Sequence, residues 1–133
     1  MHINTKQGII NISTINTIKM ESNKAVLNLN HSIRMEDRII SNFIYLGLEE
    51  FKKIDLNYFV ELKGKDRHVY VSKSNVVKVC KDFVNQRICF YFYNLVSKPH
   101  HNDLLVPEFM FIKVDDVNEA YNNVVNQLGI GEI

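Results

Sequence analysis

Between Phe59 and Tyr93 the chain mixes aromatic rings with cations. Phe59, Tyr70, Tyr91 and Tyr93 supply the rings, and Lys63, Lys65, Arg67, Lys73, Lys78 and Arg87 supply the charge. Rings stack on bases for about 1–3 kcal/mol each while cations neutralise phosphates, so such a surface suits single-stranded nucleic acid or a nucleotide-like ligand. The same residue types dominate protein–protein hot spots, so the alternative is a protein-binding module: a small inhibitor or immunity-type protein, or a subunit of a hetero- or homo-oligomeric assembly. A third reading places these rings in the core, beneath a neighbouring loop or helix.

Other chemistry has weaker support. The string VELKGK, Val60 to Lys65, resembles the second half of the PD-(D/E)xK nuclease signature, with Glu61 and Lys63 as its acid and lysine. That resemblance implies metal-dependent cleavage, which needs a further carboxylate on a neighbouring strand; Asp55 lies only just upstream, and Asp37 falls in an expected helix. His100 and His101 point apart in an extended loop and lack metal-ligand spacing. Cys80 and Cys89 face each other across an expected hairpin, and two thiols alone do not build a zinc site. The chain has no glycine-rich phosphate loop and no nucleophile elbow. The expectation is therefore a non-enzyme with no cofactor and no metal.

The elements that position these residues are strands followed by a helix, twice. Ile9–Ile12, Ile15–Met20 and Lys24–Leu29 are rich in β-branched residues and read as strands. Ile40, Phe43, Ile44, Gly47, Phe51 and Ile54 carry a helical spacing, with Glu36 and Asp37 in the expected first turn. Asn57–Lys63 and His68–Ser72 flank a four-residue turn, pairing Lys63 with His68, Leu62 with Val69 and Val60 with Val71. Tyr58, Val60, Leu62, Val69 and Val71 then face the core, and Phe59, Glu61, Lys63, His68, Tyr70 and Ser72 face outward. Strands at Val76–Cys80 and Arg87–Tyr93, a loop at Ser97–Pro107 and a strand at Glu108–Lys113 follow. A closing helix starts near Asp116, with Glu119 completing a capping box, and stops at Gly129, where Ile130 folds back.

Ile10–Met20 matches Val69–Val79 without a gap at a constant offset of 59 residues, placing Asn16 on Asn75. After an insertion of four residues the match continues, with Asn28 on Tyr91 and Leu29 on Phe92. The expected fold is thus α+β, an antiparallel sheet covered by two helices in one domain of residues 1–133, with degenerate halves 1–54 and 55–133. At fold level this order is similar to the Pur-type and whirly single-strand binders, whose sequence motifs are absent.

The 133 residues carry a net charge of +1, unevenly spread. Residues 57–102 hold eight basic and three acidic side chains, and residues 103–133 hold one basic and six acidic. Separated charge of this kind fits a basic surface for an anionic partner beside an acidic element, or mutual neutralisation within the fold. No apolar run reaches the ~20 residues that span a bilayer. The start lacks a secretory pattern and only two cysteines occur, so a cytosolic location and no membrane partner are expected.

Overall fold

In the computed structural model the described residues are 1–34, 40–98 and 101–129. Ten strands and two helices follow one another: β1 (His2–Thr5), β2 (Gly8–Asn11), β3 (Ile15–Met20), β4 (Lys24–Arg34), β5 (Ile40–Gly47), α1 (Leu48–Phe51), β6 (Phe59–Lys63), β7 (His68–Ser72), β8 (Val76–Asp82), β9 (Arg87–Lys98), β10 (His101–Lys113) and α2 (Val117–Leu128). They form an antiparallel five-stranded sheet of order β5-β4-β3-β7-β6, a three-stranded sheet of order β10-β9-β8, and the β1–β2 ladder. The expected α+β class holds, with much more strand than helix. No helix among the described residues is long and apolar enough to cross a membrane.

Both faces of the β6–β7 hairpin are buried. Its register is the expected one, with Lys63 opposite His68, Leu62 opposite Val69 and Val60 opposite Val71. Val60, Leu62, Val69 and Val71 pack with Ile88, Phe90, Phe92 and Ile112 of the second sheet and with Val117 and Val124 of α2. On the reverse, Phe59 and Tyr70 join Ile3 and Ile10 of the β1–β2 ladder, Ile18, Leu27 and Leu46 in a second core. The expected outward face is therefore interior at Phe59, Tyr70 and Ser72. Tyr58, expected inside, lies in a 3₁₀ turn and is exposed.

Two expected elements are replaced. Where a helix was expected across Ile40–Ile54, β5 runs to Gly47 and only the single turn of α1 follows. Ile44 and Leu46 are buried while Phe43 and Tyr45 are exposed, which is the alternation of a strand. Its spacing had fitted a helix because short apolar runs satisfy either period, and pairing with β4 along Ala25–Asn28 satisfies the backbone of both strands. Glu36 and Asp37 lie outside the described residues. Where a loop was expected at Ser97–Pro107, β9 and β10 continue as a paired arm, with Val96 opposite Val106 and Ser97 opposite Leu105. His100 lies outside the described residues, as do the side chains of His101, Asn102 and Asp103.

The closing helix forms as its sequence predicts. The Asp116 carboxylate accepts from the Glu119 N–H at 3.1 Å, and Gly129 takes the left-handed conformation at φ 71° that ends it; Ile130 is outside the described residues. From its last turn, Gln127 binds the exposed edge of β6: its Oε1 accepts from the Glu61 N–H at 2.7 Å and its Nε2 donates to the Glu61 carbonyl at 2.7 Å. One side-chain amide thus stands in for a neighbouring strand. Gly64 lies where a Cβ would come within 2.7 Å of the Lys113 carbonyl, which lets the β6–β7 turn close on the end of β10.

One order of elements occurs twice: a two-stranded ladder, a three-stranded meander, a helix. The gapless match does not follow it residue by residue. Leu29 pairs with Ile15 and Phe92 with Val76, so the ladders set Ile15 against Val76, an offset of 61 (76 − 15) rather than 59. Side-chain direction in a strand repeats every two residues, so a slip of two leaves the apolar pattern intact and invisible in sequence.

The two sheets are joined by a polar clasp. Asn16, 0% exposed, donates through Nδ2 to Asn94 Oδ1 at 2.7 Å and to Glu108 Oε2 at 2.5 Å. Asn28 donates to Glu108 Oε1 at 3.2 Å, Asn94 Nδ2 to Oε2 at 3.3 Å, and Asn42 to Asn28 Oδ1 at 2.9 Å. Asn75 reaches back to Asn16 Oδ1 at 3.2 Å and to the Ser13 carbonyl at 2.8 Å. Asn16→Ala removes a donor to two partners and an acceptor to a third inside the protein, each bond contributing about 0.5–1.5 kcal/mol. We expect a loss of about 2–4 kcal/mol in urea unfolding; an unchanged midpoint would show that the clasp contributes nothing.

Candidate functional site

The outer face of the three-stranded sheet collects much of the expected aromatic and basic surface. Cross-strand pairs arrange it in rows: Lys78, Tyr91 and Phe109; then Cys80, Cys89 and Phe111; then Asp82, Arg87 and Lys113. Tyr93 extends it and is 69% exposed. Of the expected site residues, Lys78, Arg87, Tyr91 and Tyr93 meet here. Phe109 and Phe111 of β10 belong to the same face and were not anticipated. Alternation along EFMFIK separates them from buried Ile112, but only the β9–β10 register brings them beside Tyr91.

The face is partly self-satisfied. The Tyr91 and Phe109 rings lie 5.0 Å apart at a tilt of 43°, and Phe109 and Phe111 lie 6.0 Å apart. The Arg87 guanidinium sits 4.4 Å above Phe111, and the Lys78 ammonium 5.8 Å from Tyr91. Arg87 Nε also donates to Asp82 Oδ2 at 2.7 Å. Hydrogen bonds from Asn85, and then from Arg87, hold the Asp82 carboxyl down to about 2. Cys80 and Cys89 stand opposite each other as free thiols, and burial pushes the Cys89 thiol up. Beyond Tyr93 the arm carries exposed apolar side chains, Leu95 and Val96 on β9 and Leu104 and Leu105 on β10.

The remaining expected residues lie elsewhere. Lys63, Lys65 and Arg67 are exposed at the β6–β7 turn, where the Lys65 N–H donates to the Lys113 carbonyl at 2.9 Å and its ammonium pairs with Asp115 at 3.4 Å. Lys73 is exposed just after β7. Phe59 and Tyr70, the latter 7% exposed, offer no ring to a ligand. They were expected outside because the five-stranded sheet was not known to be covered on both faces.

Tyr70 instead completes a polar trio. Glu61 Oε2 accepts from the Tyr70 hydroxyl at 2.9 Å and contacts His68 Nε2 at 2.9 Å. One oxygen of the carboxylate that the nuclease resemblance would direct to a metal is thus engaged by two side chains. No group of three His, Cys, Asp or Glu suited to a metal occurs among the described residues. The His68 hydrogen bond, then that of Tyr70, lowers the Glu61 carboxyl below its ordinary range. Burial, then the bond to Glu61, raises the Tyr70 phenol to about 12.

No protein-family model matches the chain, and neither a curated protein nor a solved structure matches it.

The trio contributes at both ends of the pH–stability curve. The folded Tyr70 holds its proton more tightly than the unfolded phenol, so its contribution is complete below pH 10.0 and fades as pH rises toward about 12. Glu61 acts oppositely: its contribution is present above the ordinary carboxyl value of 4.5 and fades as pH falls through its lowered value. Tyr70→Phe is expected to cost about 1–2 kcal/mol at neutral pH, to flatten the alkaline limb, and to leave much of the acid limb, because Glu61 keeps its hydrogen bond with His68. Urea midpoints from pH 3 to 12 check this; an alkaline limb unchanged in Tyr70→Phe would assign it to another group.

Proposed function

We propose that the chain is a non-enzymatic protein-binding module that docks its partner on the outer face of β8–β9–β10 and on the β9–β10 arm. One observation carries this reading: Tyr93, Leu95, Val96, Leu104, Leu105 and Phe109 are all exposed on one hairpin. Apolar exposure concentrated on one hairpin in this way is uncommon on a surface that meets only water. β10 is also the edge of its sheet, with backbone groups available for strand addition by an extended segment. The electrostatics favour a protein over a phosphate chain. Arg87 is already paired with Asp82 and Lys65 with Asp115, so a phosphate would have to displace a carboxylate at each.

A second reading, an anionic nucleotide-like ligand, keeps one observation in its favour. Lys78 beside Tyr91, with the open Tyr93 ring on the same face, makes a small stacking and charge pair. Salt separates the two, because affinity for phosphates falls steeply with ionic strength and apolar docking does not.

A photocrosslinking residue at Tyr93, introduced in the producing cell, tests the proposal. The expected product is an adduct of discrete mass that withstands roughly 0.5 M salt. It should be absent when the crosslinker replaces Lys52 and should weaken about tenfold or more on Leu105→Asp. Self-crosslinking, matched by a dimer in sedimentation, would make the partner a second copy. Steeply salt-sensitive binding of labelled oligonucleotides, without the adduct, would replace the proposal with the second reading, and absence of both would end both.

A further inference from the structure

We infer that the cleft between the two sheets, above Glu108, is a binding site for an alkyl ammonium or guanidinium group. The cleft holds about 440 Å³ and lies between the β4–β5 side of the large sheet and the root of the β9–β10 arm. Its chemistry is that of one carboxylate among amides. Glu108, Asn42 and Asn94 form the polar surface, Leu95 and Val96 an apolar wall, and Ser97 and His31 also line it. No lysine or arginine lines it among the described residues. The inference does not rest on the docking reading above.

Hydrogen-bond capacity points to a cation. A carboxylate has about four lone-pair sites. Three amide donors occupy Glu108: Asn16 and Asn94 on Oε2, and Asn28 on Oε1. Among the described residues Oε1 therefore keeps an unused site. The Asn42 amide donates to Asn28, which leaves the Asn42 carbonyl oxygen as a further acceptor. A formal negative charge held only by neutral donors attracts a cation more than a neutral ligand, and half-burial weakens screening by water. The apolar wall suits the methylene stem that such head groups carry.

Backbone irregularities build the cleft. The β9–β10 register shifts between Pro107 and Phe109, which sets Glu108 out of the ladder. The β4–β5 register shifts between Asn28 and Ile33, beside Asn42. Bulges re-aim side chains in this way next to functional sites.

Butylguanidine and butylamine serve as free probes, butanol as the uncharged control, and a capped tripeptide with a central arginine as the polypeptide form. Titration is followed by NMR of the side-chain amide signals of Asn28, Asn42 and Asn94. Both cations are expected to move these signals saturably, with dissociation constants on the order of millimolar, and butanol to leave them in place. Tighter binding of the peptide would identify a partner's side chain as the source; tighter binding of the free cations would identify a small molecule. Glu108→Gln should weaken binding about tenfold or more. Because that change also touches the clasp, Ser97→Lys and Ser97→Asp provide an independent pair at an exposed position, the first weakening binding and the second tightening it. Equal binding by Ser97→Lys and Ser97→Asp, or no saturable shift with any of the three cationic probes, would overturn the inference.

Discussion

A carboxylate held between two sheets by amides, with no lysine or arginine on it among the described residues, is the constraint on which the arrangement depends. Glu108 accepts from amide donors of three segments, Asn16 on β3, Asn28 on β4 and Asn94 on β9. Such bonds are directional, and a half-buried charge loses heavily when its donors move, so the relative position of the sheets is fixed more narrowly than apolar packing would fix it. The network also explains the interrupted ladders. Asn16 falls at the shift between Ile15 and Thr17, Asn94 and Glu108 at the shift between Pro107 and Phe109, and Asn75 adjoins the irregular start of β8. Regular strands would point successive side chains to opposite faces; the bulges turn these polar groups together.

The β6–β7 hairpin then determines what remains exposed. With the second sheet and α2 on one face and the β1–β2 ladder on part of the other, it is a central layer, apolar throughout on the first face and at Phe59 and Tyr70 on the second. Tyr70 is buried there because its hydroxyl finds Glu61 and its ring packs 5.7 Å from Phe51. Tyr93, two strands later on a hairpin with only one covered face, stays in water. Residue type is the same in the two cases; the number of layers over the strand decides.

Local chemistry was legible in the sequence, and layering was not. The β6–β7 register followed from turn length and alternation, and the Asp116 cap and Gly129 stop of α2 followed from rules acting within one turn. The β5 strand was missed because Ile40, Phe43, Ile44 and Gly47 satisfy a helical period, and what overrode it was the open edge of β4, a non-local fact. The arm was missed because polar residues and Pro107 read as a loop; Pro107 is tolerated on an edge strand beside a register shift. Phe109 and Phe111 were readable as one face of an alternating strand, but their neighbours depended on pairing. The clasp gave no periodic signal, since its five asparagines come from five separate strands or turns.

The ladder register also explains why the candidate surface lies where it does. With Ile15 set against Val76, Thr17 corresponds to Lys78, Asn28 to Tyr91 and Phe43 to Phe109. In the first meander this row is covered at one end: Thr17 is buried and Asn28 binds Glu108, while Phe43 is exposed. In the second meander the same row, Lys78, Tyr91 and Phe109, lies on a face that no described element covers. Compared row by row, the aromatic face thus stays open where the first meander is partly covered. A stack of layers must end on an open face, and natural stacks commonly end on a polar one. This one ends on rings interleaved with Lys78 and Arg87 and on an apolar arm.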